Sequence, residues 1–235
     1  AEISRGGPLR GLPRVFVEVK MKFSVGRERP AHFTPAYPEE FALFSHLELC
    51  SAVPQALFAI TTWKENGLPN LCPHAWTCFH GDRTAFFACM GNLYRHTHTY
   101  QNILRDKCFC LNFLAIPYYQ AMMSAIRENG EDTDEFAAAG LTREACEEIE
   151  APAIRESFLT MECRLVEARD LSGAGVAAMV TGEVIRVRVE ERYARGEKNR
   201  FGEEGFMLLA PGPQNMESGA PSPTAIGNFT PRLWD

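Results

Sequence analysis

The sequence predicts a mainly β fold, one barrel-like domain with helices at its side. Three observations carry this expectation. Short runs of β-branched and aromatic residues alternate with Gly, Asn and Asp turns between residues 57 and 114; two longer segments within 157–190 alternate with a period of two; and one block, 117–148, has helical spacing. At 235 residues, 46% hydrophobic and 23% charged, the chain can bury a large core.

In chain order, residues 1–38 read as a lead and a proline-bearing connector, 39–191 as the barrel domain, and 192–235 as an extended Gly/Pro/Asn-rich tail laid over the surface or over a partner subunit. Val15–Val19 reads as an N-terminal strand; alternatively, Val17–Met21 can be encoded with a purine-rich ribosome-binding sequence ahead of an AUG, which would make Met21 the natural start. Phe41, Leu43, Phe44 and Leu47 have the spacing of a short docking helix. Leu57–Trp63, the Asn66-Gly67 turn and Asn70–His80 predict a β-hairpin, and Thr84–Met90 a further strand ending at Gly91-Asn92. Thr99 is expected to cap a helix over Tyr100–Asp106, Lys107–Leu114 to return as a strand, and Thr142 to open a short helix over Glu144–Ile149. Ser157–Glu167 and Val180–Glu190 should pair around the turn at Leu171–Gly175.

The formal charge of −6, without a run of interleaved basic and aromatic residues, argues against nucleic acid or an anionic membrane as partner. The apolar runs Ala56–Ile60 and Ala85–Met90 are far shorter than a bilayer span, so the expected location is the cytoplasm, with the eight cysteines reduced. No GxGxxG, GxxxxGK, GxSxG or HExxH occurs, which removes the usual dinucleotide, nucleotide, hydrolase and zinc-protease signatures. Cys72, His74, Cys78 and His80 alternate onto one side of an extended strand, with His96 and His98 in a later turn. Successive same-face positions are too far apart to close a tetrahedron alone, so a metal site is the lesser reading.

Ala59-Ile60-Thr61-Thr62, Asn66-Gly67, Asn70 to Thr77 and Thr99-Tyr100-Gln101-Asn102-Ile103 occur in an order and at gaps that resemble the flavin reductase-like domain family, an FMN-binding split barrel. Ala138–Thr142, Glu162-Cys163 and Gly182-Glu183-Val184 extend the resemblance from about Val53 to Glu190, and the Trp in the strand is most similar to the flavoredoxin-like branch. The resemblance implies a Greek-key-like barrel with flanking helices and an α+β insertion. It also implies a homodimer that builds each FMN pocket at a two-fold interface.

It places FMN along His74, Ala75, Trp76 and Thr77, beside Asn70, with its phosphate near Asn92, Arg95, His96, Thr97, Thr99 and Asn102. A capped helix start beside an arginine is independently a suitable anion site. His74 stands where relatives carry Ser or Thr; its imidazole could donate to the flavin N5 or O4 region, and Trp76 could pack on the ring, the alternatives being a core histidine and a core aromatic. The implied activity is an NAD(P)H-dependent flavin reductase or oxidoreductase passing electrons to free flavin or another acceptor. The alternatives are a flavoredoxin-type electron carrier served by a redox partner protein, and a non-catalytic flavin- or metal-binding β-protein. No acid/base dyad is needed where the cofactor carries the redox chemistry.

Overall fold

A computed structural model of the chain describes residues 22–31, 45–196, 201–212, 215–220 and 222–230. The expected strand at Val15–Val19, the Met21 start, the helix positions Phe41, Leu43 and Phe44, and most of the proline-bearing connector lie outside the described residues.

Along the chain the elements are α1 (His46–Ser51), β1 (Gln55–Trp63), β2 (Pro69–His74), β3 (Thr77–Gly81), β4 (Phe86–Tyr94), α2 (His98–Asp106) and β5 (Cys108–Phe113). There follow α3 (Tyr119–Arg127), α4 (Glu135–Ala139), β6 (Arg143–Ala145), β7 (Pro152–Ile154), β8 (Leu159–Arg169), β9 (Ala177–Val189), α5 (Glu191–Ala194), β10 (Met207–Ala210) and β11 (Ala225–Asn228). Ser45 caps α1 in a reciprocal capping box with Glu48. Leu49 is its buried residue, while Leu47, expected to dock, is 43% exposed.

The hairpin of β1 and β2 forms in the register Phe58↔His74 to Trp63↔Pro69, and Gly67 supplies the positive φ of 81° that its turn requires. The strand expected over 70–80 is two strands. The chain bends at Ala75-Trp76, so that β2 pairs with β1 while β3 pairs with β4. The intervening strands run β1-β5-β8-β9-β4, every pairing antiparallel. The two halves of one bent strand therefore terminate the two ends of the sheet, and their peptide link closes it into a curled barrel. The long hairpin expected from the alternating segments is β8 with β9, turning at residues 170–176.

Inside the barrel lie Phe58, Ile60, Met90, Ile103, Phe109, Leu111, Phe113 and Val180. A Cβ at Gly182 would overlap the Phe109 ring, so this strand position is glycine for close approach. On the other face of β1 and β2, Leu57, Ala59 and Leu71 pack with Met122, Phe136 and Leu141 of the insertion.

Two expectations are corrected. Residues 144–149 form no helix: Arg143–Ala145 is a strand on β7, and the amides of Glu147 and Glu148 donate to the buried carboxylate of Glu162 at 2.9 and 2.7 Å. Those are amides that a helix would otherwise have to organise, and a fully buried carboxylate holds them more strongly than the local propensity of the segment. In the tail, the apolar island at Phe206–Leu209 does not simply lie on the surface. Residues 207–209 pair with 57–55 of β1, and β11 pairs with β10 in turn.

Candidate functional site

The start of α2 is the most ligand-ready feature of the rim. The helix begins two residues earlier than expected, and its cap is Thr97, not Thr99. Thr97 is extended (φ −78°, ψ 150°), and its hydroxyl accepts from Tyr100 N at 3.3 Å while donating to Tyr94 O at 2.8 Å. Thr99 is buried inside the first turn, where its hydroxyl accepts from Asn70 Nδ2 at 2.9 Å. The Thr97 hydroxyl is thus used on both sides, and that of Thr99 is turned to Asn70. The amides of His98 and Thr99, by contrast, have no hydrogen-bond partner among the described residues, and they carry the positive end of the helix dipole.

Arg95 stands beside this start, its side chain 45% exposed and Nη1 3.8 Å from Asp170 Oδ2. Asp170 is already engaged by Ser172 N, Ser172 Oγ, Gly173 N and Gly175 N at 2.6–3.1 Å, led by Gly175, which holds its carboxyl below the usual range. The acid therefore positions the guanidinium without enclosing it. The backbone of Arg95 is fixed to the same hairpin by its N–H, which donates to Val176 O at 3.0 Å, and Gln101 Nε2 donates to Arg95 O at 2.6 Å. His96 is exposed and stacks on Tyr94 at 5.8 Å.

Asn70 and Asn102 belong to a buried polar ladder that ties α2 to the hairpin of β1 and β2. Asn102 Nδ2 donates to Thr62 Oγ1 at 3.0 Å, and Thr62 is the cross-strand partner of Asn70. Both amides point to structure rather than to the rim. Asn92 adopts φ 53° where the pairing of β4 with β9 shifts register, and its side chain donates to Glu48 of α1.

On the bent strand, His74 packs edge-on against Phe58 at 5.8 Å, inside the barrel. Burial lowers its pKa from 6.5 to about 4, opposed by the backbone of Trp76 and Gly91, so the ring is neutral, and its Nε2 has no hydrogen-bond partner. Its side chain occupies the core position that the sequence left open. Ala75 is buried under the insertion, Trp76 is half-buried, and Thr77 donates to Cys89 O at 3.0 Å. The bend also separates the supposed metal set. Cys72 and His74 lie on the core side, whereas Phe79 faces Phe113 and so turns Cys78 and His80 outward. No group of three or more His, Cys, Asp or Glu suited to a metal ion occurs among the described residues.

The open amides and Arg95 have the chemistry to take a phosphate group, and Trp76 is the aromatic nearest in sequence to the bend. Asp170 and its hairpin, which position Arg95, were missed by the sequence reading. The run Asp170-Leu-Ser-Gly-Ala-Gly175 signalled a turn, but not what it would lie against.

A barrel closed by one bent strand, with a helix start and Arg95 at its rim, defines a split-barrel protein. The chain belongs to the flavin reductase like domain family, whose model matches residues 50–203. Among solved structures it is similar to flavoredoxin of Desulfovibrio vulgaris (Miyazaki F), with 20% identity, 92% of this chain and 97% of that chain covered, and a TM-score of 0.63. It is similar to a split-barrel protein of Shewanella frigidimarina NCIMB 400, described as a candidate flavin reductase, at 20% identity, 81% and 90% coverage and a TM-score of 0.64. An NADH:FAD oxidoreductase of Streptomyces globisporus C-1027 is 14% identical over 79% of this chain and 92% of its own, with a TM-score of 0.58. These likenesses bear on the fold. No helix among the described residues is long and apolar enough to cross a membrane.

Proposed function

We propose that the protein binds FMN with its phosphate on the α2 start and works as an NAD(P)H-dependent flavin oxidoreductase. The observation that carries this reading is the pair of open amides at His98 and Thr99 beside Arg95, in a chain of a flavin-handling family. Bound flavin supplies two-electron chemistry, accepting a hydride and passing electrons to free flavin or to another acceptor. The residues of this chain bind and orient: the amides and Arg95 take the phosphate, and the half-buried Trp76 shields one side of the ring. A homodimer is part of the proposal: Trp76 is only half-buried, and a second copy would enclose the ring beside it.

The protein purified as isolated should show flavin absorption bands and sediment at twice 26.3 kDa. Mixed with NADH or NADPH and excess FMN, it should consume the nicotinamide catalytically. Flavin bands without nicotinamide consumption would replace the reductase with an electron carrier reduced by a partner protein. A preference for FAD over FMN would relocate the specificity beyond the phosphate site. Failure to bind either flavin would refute the proposal, as would a monomer that binds FMN for the dimer.

A further inference from the structure

Cys78 and Cys89 are Cα partners on adjacent antiparallel strands, so their side chains leave the same face of the sheet directly opposite one another. That face is the outer one, because Phe79, the neighbour of Cys78, turns inward to Phe113 at 6.4 Å. Cys78 is exposed and Cys89 half-buried. Among the eight cysteines this arrangement differs from the other close pair. Cys110 and Cys146 share a buried cluster, but Cys110 is fully enclosed, and burial pushes its thiol well up.

We propose that Cys78 and Cys89 form a reversible dithiol/disulfide site that exchanges with small-molecule disulfides. The proposal is independent of the flavin reading. The thiolate of Cys78, the more accessible sulfur, attacks one sulfur of the small disulfide and releases one small thiol, leaving a mixed disulfide on Cys78. Cys89 then attacks the Cys78 sulfur, expels the second small thiol and closes the protein disulfide. Overall, two protein thiols are oxidised, one small disulfide is reduced to two thiols, and the two protons leave with those thiols.

The fold permits closure. The hydrogen bonds at Gly91–Trp76 and Asp82–Ala85 put Cys78 and Cys89 in the wider, hydrogen-bonded register, with Cβ atoms about 5.5 Å apart, and a disulfide needs about 3.5–4.5 Å, so the strands must approach by about 1–2 Å. β3 can make this adjustment because it terminates the sheet order and its ladder partner is β4 alone. Burial and the neighbouring Cys89 raise the Cys78 thiol, so at neutral pH the pair rests as the dithiol until an oxidant is supplied.

The test uses the whole protein with oxidised glutathione. Wild type should lose two titratable thiols and two hydrogens in mass, retain no glutathione, and yield a Cys78–Cys89 linked peptide; dithiothreitol should restore both thiols. Cys89→Ser should instead accumulate one glutathione on Cys78, because the resolving thiol is gone. A wild-type protein that holds a stable glutathione adduct, or a linked peptide joining any other pair, would overturn the proposal. So would a pair that stays reduced in wild type while Cys78 of Cys89→Ser becomes modified. A flavin-free preparation gives the same readout, so failure here is separable from failure of the proposed cofactor.

Discussion

The first turn of α2 and the buried carboxylates Glu162 of β8 and Glu135 of α4 treat backbone amides in opposite ways. At Glu162 both oxygens accept amide hydrogens, from Glu147 and Glu148, with Arg188 at 3.6 Å, and at Glu135 one oxygen accepts from Leu71 N while the other meets Lys64 Nζ at 2.8 Å. Lys64 in turn donates to Gly130 O and Thr133 O, so every charge in that region closes on the chain itself. At the α2 start, two amides have no partner among the described residues and the guanidinium of Arg95 is half-exposed, with the dipole behind them. Buried polar groups that satisfy one another hold an architecture, and donors left over at a rim are what a ligand can use.

The strongest way to break this contrast is in the buried pair. Lys64→Met leaves Glu135 without its counter-charge beside Leu71 and frees two loop carbonyls. Stability measured by urea unfolding should fall by about 3–5 kcal/mol. A loss near zero would mean that the insertion is held by its apolar face alone.

His74 belongs to neither group, being buried with its Nε2 unpartnered. The unfolded chain takes up a proton near pH 6.5, but the folded ring refuses it until about pH 4, so stability is full above 6.5 and declines as pH falls through that window. The decline attributable to this residue should approach about 3 kcal/mol by pH 4, and His74→Leu should flatten it in urea midpoints measured across the range. An unchanged slope in the variant would assign the acid sensitivity to other groups.

Two smaller effects sharpen the other side of the comparison. Arg95→Ala should weaken FMN by about 1.5–3 kcal/mol, roughly 10- to 100-fold, and leave riboflavin, which has no phosphate, much less affected. Equal losses for both ligands would make Arg95 a general pocket residue. Thr99→Val removes the acceptor of Asn70 and should cost about 1 kcal/mol of stability while FMN affinity, corrected for folding, stays as in wild type. Fluorescence titration and thermal unfolding of the same samples separate the two outcomes.

Local signals made much of this legible in the sequence. The Asn-Gly turn and its flanking runs anticipate β1 and β2, and the alternation around Gly182 anticipates β8 and β9. What escaped depended on distant partners. The bend at Ala75-Trp76 is invisible because both halves of that strand have strand-like composition, and only their different neighbours, β1 and β4, reveal two elements. Thr97 and Thr99 are equally good caps by residue type, and the choice is made by Asn70, which reaches across to Thr99 from another strand. The segment 144–149 has helical composition, but Glu162 in β8 claims its amides. Site residues followed the same rule. Local chemistry is enough to single out Arg95 and a helix start nearby, whereas the inward turn of His74 and the support of Asp170 required the fold.

The pairing of β10 with β1 joins residues 207–209 to 55–57, so one edge of the first barrel strand waits for nearly the whole chain to be synthesised. On the ribosome that edge presents open amides and carbonyls next to Leu57 and Phe58, a template for any other nascent strand. Protein truncated after residue 191 would carry the same open edge permanently and should self-associate during expression, even though the barrel circuit itself is complete by β9.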